Sequence, residues 1–110
     1  MSNSDNHRIT QLKSFIEEDK NDPFPLYALA LEYVKHNQKA ALNCFHELLD
    51  RFPKYLPTYY HAAQFFIELG NEEFAEKTFK DGISLAQSQD DPKALQELKA
   101  AYFNFQMDLD

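Results

Sequence analysis

The sequence predicts an all-α protein of about six helices, built as antiparallel helical hairpins stacked on one another. Three observations carry this prediction. First, a pattern recurs. Leu26-x2-Leu29-Ala30-x2-Tyr33, Ala41-x3-Phe45 and Pro53 are answered by Tyr59-x2-Ala62-Ala63-x2-Phe66 and Ala75-x3-Phe79. The opening residues of the two copies lie 33 apart and the later ones 34 apart, and internal periods of this size mark architectures in which one hairpin packs on the next. Second, there are only 2 glycines in 110 residues and no long run of Val, Ile or Thr, which argues against a β protein. Third, Asn, Asp and Pro punctuate the chain at short intervals where helices should end and begin.

Taken in order, the first helix is expected from about Asn6 to Asp19, with Ile9, Leu12, Phe15 and Ile16 on one face at helical spacing. Asn21-Asp22-Pro23 ends it and starts the second. Asp22 serves as N-cap, and Pro23 takes the first helical position, where its missing N–H costs nothing. The second helix runs to about Lys35. Asn37 caps the third, which buries Ala41, Leu42, Phe45, Leu48, Leu49 and Phe52 and stops at Pro53. Pro57 opens the fourth helix, and Gly70 closes it. Asn71 caps the fifth, whose first turn carries Glu72 and Glu73, where the helix dipole favours negative charge. Its inner face is Ala75, Phe79, Ile83 and Ala86. Asp90-Asp91-Pro92 repeats the stop–cap–proline device, and the sixth helix runs to about Gln106 with Leu95, Leu98, Tyr102 and Phe105 on one face.

Composition narrows the function. With 18 acidic and 11 basic residues the formal net charge is −7. This disfavours nucleic acid and anionic membrane, which reward clustered Lys and Arg, and it favours a basic partner. No stretch approaches the ~20 apolar residues a membrane span needs. Residues 1–8 are polar and do not form a signal peptide, and the lone Cys44 suits a reducing compartment, so a cytoplasmic protein is expected.

Chemistry is not signalled. His46-Glu47-Leu48-Leu49-Asp50 has the shape of a zinc motif, but Asp50 stands in place of the second histidine and no third ligand is placed. Cys44 with His36 and His46 matches no metal-binding spacing. The acidic pairs Glu17-Glu18, Glu72-Glu73 and Asp90-Asp91 lie at or near helix ends, where capping and solvation account for them. With Gly70 and Gly82 the only glycines, there is no phosphate-binding loop; Gly82, mid-helix, is expected to serve close packing. No catalytic residue, metal or cofactor is expected.

The repeated residues resemble the tetratricopeptide repeat, a helix–turn–helix unit with the signature W-x2-L-G-x2-Y…A-x3-F…P. Leu26 and Tyr59 replace the tryptophan, Ala30 and Ala63 the glycine, and Gln87 the second proline. The hairpin turn of the first unit is one residue shorter, since Tyr33 to Ala41 spans 8 residues and Phe66 to Ala75 spans 9. Fragments continue outside. Phe15-x7-Pro23 copies Phe45-x7-Pro53, and Leu95-x2-Leu98-Lys99-x2-Tyr102 copies the first half of a unit. The resemblance implies a single domain, a right-handed superhelical stack with a half unit at 6–20, full repeats at 23–53 and 57–88, and a capping helix at 91–106.

The signature leaves a second face of the first-type helices unexplained. By resemblance this face lines the concave side of the superhelix, where an extended peptide or partner helix binds. It would be built from Tyr27, Leu31, Tyr60, His61, Gln64, Ala100 and Phe103, with Phe24 and Lys35 at the rim. Val34, Ile67 and Phe103 have a competing use in packing between adjacent helices. Lys, Arg and Asn do not line the groove, so a carboxylate clamp is not implied; the face is apolar and aromatic. The expectation is a non-enzymatic protein-interaction module. The alternative is a homodimer closed through the same face or the first helix.

Overall fold

Helix ends explain the architecture, and the capping side chains act as the sequence predicts. In the computed structural model, which describes residues 3–109 and the side chains of residues 7–109, six helices form: α1 Asn3–Glu18, α2 Pro23–His36, α3 Gln38–Arg51, α4 Pro57–Glu68, α5 Glu72–Ser88 and α6 Pro92–Asp108. No strand occurs among the described residues. The side chains of Asp22, Asn37, Asn71 and Asp91 accept from the backbone N–H groups of Phe24, Ala40, Phe74 and Ala94 at 3.0–3.1 Å. Each satisfies a donor that the first turn leaves without an intrahelical partner.

The two hairpin turns differ for a visible reason. Asn37 alone joins α2 to α3: its N–H donates to the Tyr33 carbonyl at 2.7 Å while its side chain caps α3. Between α4 and α5 the chain uses Leu69, Gly70 and Asn71. Gly70 takes φ +77°, and Asn71 N–H reaches back to the Phe66 carbonyl at 2.9 Å, the left-handed closure that glycine adopts without steric cost. Asp90 closes α5 in the same way, at φ 54° with Asp91 N–H on the Ala86 carbonyl at 3.0 Å.

The chain divides into two compact units, Met1–Tyr55 and Leu56–Asp110. In the first, α2 and α3 form a hairpin and α1 packs on α2. Leu12, Leu26, Leu29, Ala30, Ala41, Phe45 and Leu48 make its core. In the second, α4 and α5 form the hairpin, and α6 packs on α5 and touches α4. Tyr59, Ala62, Ala63, Phe66, Ala75 and Phe79 are buried there, as are Leu98 and Phe105 of α6. Phe79, Tyr102 and Phe105 form an aromatic cluster, with Phe79 5.5 Å from Tyr102 and 5.7 Å from Phe105 between ring centroids. Ala30, Ala41, Ala63 and Ala75 have no exposed surface. These are the small signature positions, where a larger side chain would hold two helices apart.

Three details depart from or extend the sequence expectation. Phe15 is not core: it is 42% exposed. Ile9, Leu12 and Ile16 fill the stripe of α1 that meets α2, and Phe15 falls on the flank of that stripe. Glu32, a charged residue on α2, is buried, and its Oε1 accepts from Arg8 Nε at 2.9 Å, with Lys35 Nζ 3.5 Å away. Its Oε2 has no hydrogen-bond partner among the described residues. Gly82 is a packing glycine, because a Cβ there would lie 2.7 Å from the Tyr59 Cβ and 3.3 Å from Leu98 Cδ1.

Candidate partner-binding surface

The seven residues assigned to the groove from sequence fall in both units. Tyr27 and Leu31 of α2 are half-buried in the first unit. The Tyr27 ring stands edge-on to Tyr55, with centroids 5.7 Å apart and planes at 71°. Burial, and then the neighbouring Tyr55, push the Tyr27 phenol above its ordinary pKa. Of the rim residues, Phe24 is 57% exposed, and Lys35 is exposed and paired with Glu32.

In the second unit, Tyr60 and His61 project from α4 as neighbours, with their rings edge-on at 5.5 Å. Both are exposed by area, yet desolvation by surrounding side chains lowers the His61 pKa below its usual value. Gln64 is half-buried. On α6, Ala100 is exposed and Phe103 is the most exposed large apolar side chain among the described residues, at 61%. Val34 and Ile67 are half-buried, so the packing role weighed for them and for Phe103 does not extend to Phe103.

One residue of this surface lay outside the sequence reading. Met107, 58% exposed, continues the row Ala100–Phe103–Met107 at the i, i+3, i+7 spacing of one helix face. Ending α6 at about Gln106 cut the row short. The structure carries the helix to Asp108, where the Leu109 N–H meets the Gln106 carbonyl at 3.3 Å.

The opposite flank of α6 is polar. Lys99 occupies the signature place held by the fully buried Ala30 and Ala63, and it is exposed. Tyr102 Oη donates to Glu76 Oε1 at 3.0 Å. Among the described residues no group of three His, Cys, Asp or Glu is placed to hold a metal ion, and His46 and Asp50 are both exposed. The Cys44 thiol is buried, and burial, then Glu47, against an opposing Lys13, raise its pKa to about 11, which keeps it protonated and unreactive. No helix of the described residues is long and apolar enough to cross a membrane.

No family model and no curated protein matches this sequence. Solved structures do. The crystal structure of a tetratricopeptide repeat domain protein from Salinibacter ruber is 38% identical, covers 77% of this chain and 97% of its own, and superposes with a TM-score of 0.73. The chain belongs to the tetratricopeptide repeat family. A solution NMR structure of a tetratricopeptide repeat domain protein from Salinibacter ruber is likewise 38% identical, with a TM-score of 0.74 over 79% of this chain and 89% of that one. The solution structure of a protein from Bordetella parapertussis shares the fold, with a TM-score of 0.75 over 91% of this chain and 88% of that one, at 20% identity. Kinship with these domains supports a protein-interaction role in general terms.

Proposed function

We propose that this tetratricopeptide repeat chain is a non-enzymatic interaction module that binds a peptide or amphipathic helix through the apolar and aromatic side chains that its first-type helices leave outside the core. The observation that carries the proposal is the exposure of Tyr60 on α4 and of Phe103 on α6, large rings that the core does not use. Tyrosine and phenylalanine supply wide contact area at low entropy cost, which suits interface anchors. Helix-in-groove recognition reads such rows at i, i+3, i+4 and i+7. In the first unit, Tyr27 and Leu31 of α2 offer the same kind of surface. We further assign α1 as a half unit covering the α2–α3 repeat and α6 as a half unit covering the α4–α5 repeat, because a terminal hairpin otherwise leaves an apolar face in water.

Affinity capture from the native cell tests this. Proteins enriched on the wild-type chain should be lost on a Tyr60→Ala/Phe103→Ser variant whose helical circular dichroism is unchanged. An identical set of captured proteins on both would sink the proposal. Tyr27→Ala, a half-buried ring, is the companion variant and should weaken capture less than the loss of the two exposed rings.

A further inference from the structure

Helix α1 has little apolar hold on its unit. Among its described side chains only Leu12 is buried. The helix at the other end of the chain, α6, buries Leu98, Ala101 and Phe105. Within the first unit α1 packs on α2, whereas α2 and α3 pack extensively on each other. Arg8 of α1 meets Glu32 of α2. Pro25 and Ala28 are buried with Glu32 at the i, i+3, i+7 spacing of one helix face. That face is not the one that carries Tyr27 and Leu31.

Glu32 is an unusual choice for this seam. Thirty-three residues on, at the matching place of α4, stands Phe65, which is 2% exposed. An apolar side chain therefore suits this position of a repeat. Arg8 Nε and Lys35 Nζ both approach Oε1 of Glu32, at 2.9 and 3.5 Å, while Oε2 is buried without a hydrogen-bond partner. Burying a carboxylate costs free energy, and a half-satisfied pair returns only part of it. The Arg8 side chain is 58% exposed, so it loses little by parting from Glu32. The link behind α1 is fastened separately. Arg51 Nη2, at the end of α3, donates to the Lys20 carbonyl at 3.0 Å, and Asp22 caps α2.

We propose that α1 is a releasable strap. It swings off α2 about Asp19 while the α2–α3 hairpin stays folded, and the swing uncovers Pro25, Ala28 and Glu32, a surface separate from Tyr27 and Leu31. Local openings of this kind draw on elements with few buried apolar contacts. The two members of the ion pair act in opposite senses on the strap. Closing α1 takes the Glu32 carboxylate out of water, which opposes docking, and Arg8 offsets part of that cost, which favours it. A simple surface clip would behave otherwise, because loss of either member would then loosen α1.

Amide hydrogen exchange of the full chain, followed residue by residue by NMR at pH 7, tests the proposal. In the wild type, the amides of α1 should exchange about tenfold or more faster than the most protected amides of α2 and α3. Arg8→Gln, at an exposed position, leaves Lys35 as the sole cation beside the carboxylate and should speed α1 exchange severalfold further. Glu32→Leu removes the buried charge and leaves Arg8 in water, so it should slow α1 exchange severalfold. The amides of α2 and α3 report whether the hairpin is intact in each variant. Where leucine disturbs it, Glu32→Met, closer in shape to glutamate, serves with the same expected direction. Wild-type α1 amides as protected as those of α2 and α3 would overturn the proposal, because the helices would then open together. Unchanged or faster α1 exchange on replacing Glu32 with an apolar residue would also overturn it, since the pair would then be a plain clip.

Discussion

A Cβ at position 82 would sit 2.7 Å from the Tyr59 Cβ, closer than two such carbons approach. Gly82→Ala therefore sets two terms against each other. Helix propensity favours alanine by about 1 kcal/mol, while overpacking a tight contact costs about 1–3 kcal/mol. The clash involves side-chain atoms next to the backbone of α4 rather than a yielding tip, so packing should win and the melting temperature should fall by several degrees. A thermal melt at or above wild type would mean that α4 and α5 separate freely. His61 gives a pH signature at the same scale. Desolvation lowers its folded-state pKa, so the unfolded chain binds the proton more readily and stability falls as pH drops through about 6.5, the unfolded value. Urea titrations at pH 7.5 and 5.5 should show a loss of stability that His61→Gln reduces. An unchanged pH slope in that variant would exclude the imidazole as a contributor.

Among the elements, the ends of the helices are the places where single side chains decide stability. Asn71 caps α5 through a 3.1 Å bond to Phe74 N–H, and Asn71→Ala should cost about 1 kcal/mol. Asp90 does the opposite. It closes α5 at φ 54°, a left-handed conformation that strains a residue with a Cβ, and Gly70 performs the same task on α4 at φ 77°. Asp90→Gly should therefore stabilise the chain by roughly 0.5–1 kcal/mol, measured by equilibrium denaturation. Both substitutions moving the midpoint in one direction would mean that capping and left-handed strain do not set the stability of these two termini. Helix α1 is anchored differently. Its core contribution is narrow, chiefly Leu12, and the Arg8–Glu32 pair supplies the charge that the buried carboxylate requires.

At the level of the whole molecule, acidity and exposed apolar surface oppose each other. Net charge keeps copies apart near neutral pH, while Phe103, Met107 and their neighbours favour association. As pH approaches the isoelectric point of about 5.0, the repulsion vanishes and the apolar term remains. Light scattering should report a larger mean mass at pH 5.0 than at pH 7.5, and Phe103→Ser should remove much of the difference. A mass independent of pH would show that the exposed row is too small or too divided to drive association.

Fold class, helix order, capping residues and the family were legible in the sequence, because they rest on local chemistry. Asp22, Asn37, Asn71 and Asp91 cap through their own nearest backbone, and the signature residues recur at a fixed spacing set by a repeated hairpin. The packing role of Gly82 was legible for the same reason. Other features needed tertiary structure, because they depend on residues far apart in the chain. Phe15 has helical spacing with Leu12, yet only α2 lies beside α1, and the seam is too narrow to include it. The partner of buried Glu32 is Arg8, 24 residues earlier. Met107 joins the row of Phe103 because α6 runs a few residues further than its apolar pattern required. The sequence by itself determined which residues could pack. The tertiary structure decided which of them are covered, since burial depends on how many neighbours surround a helix and not on its own periodicity.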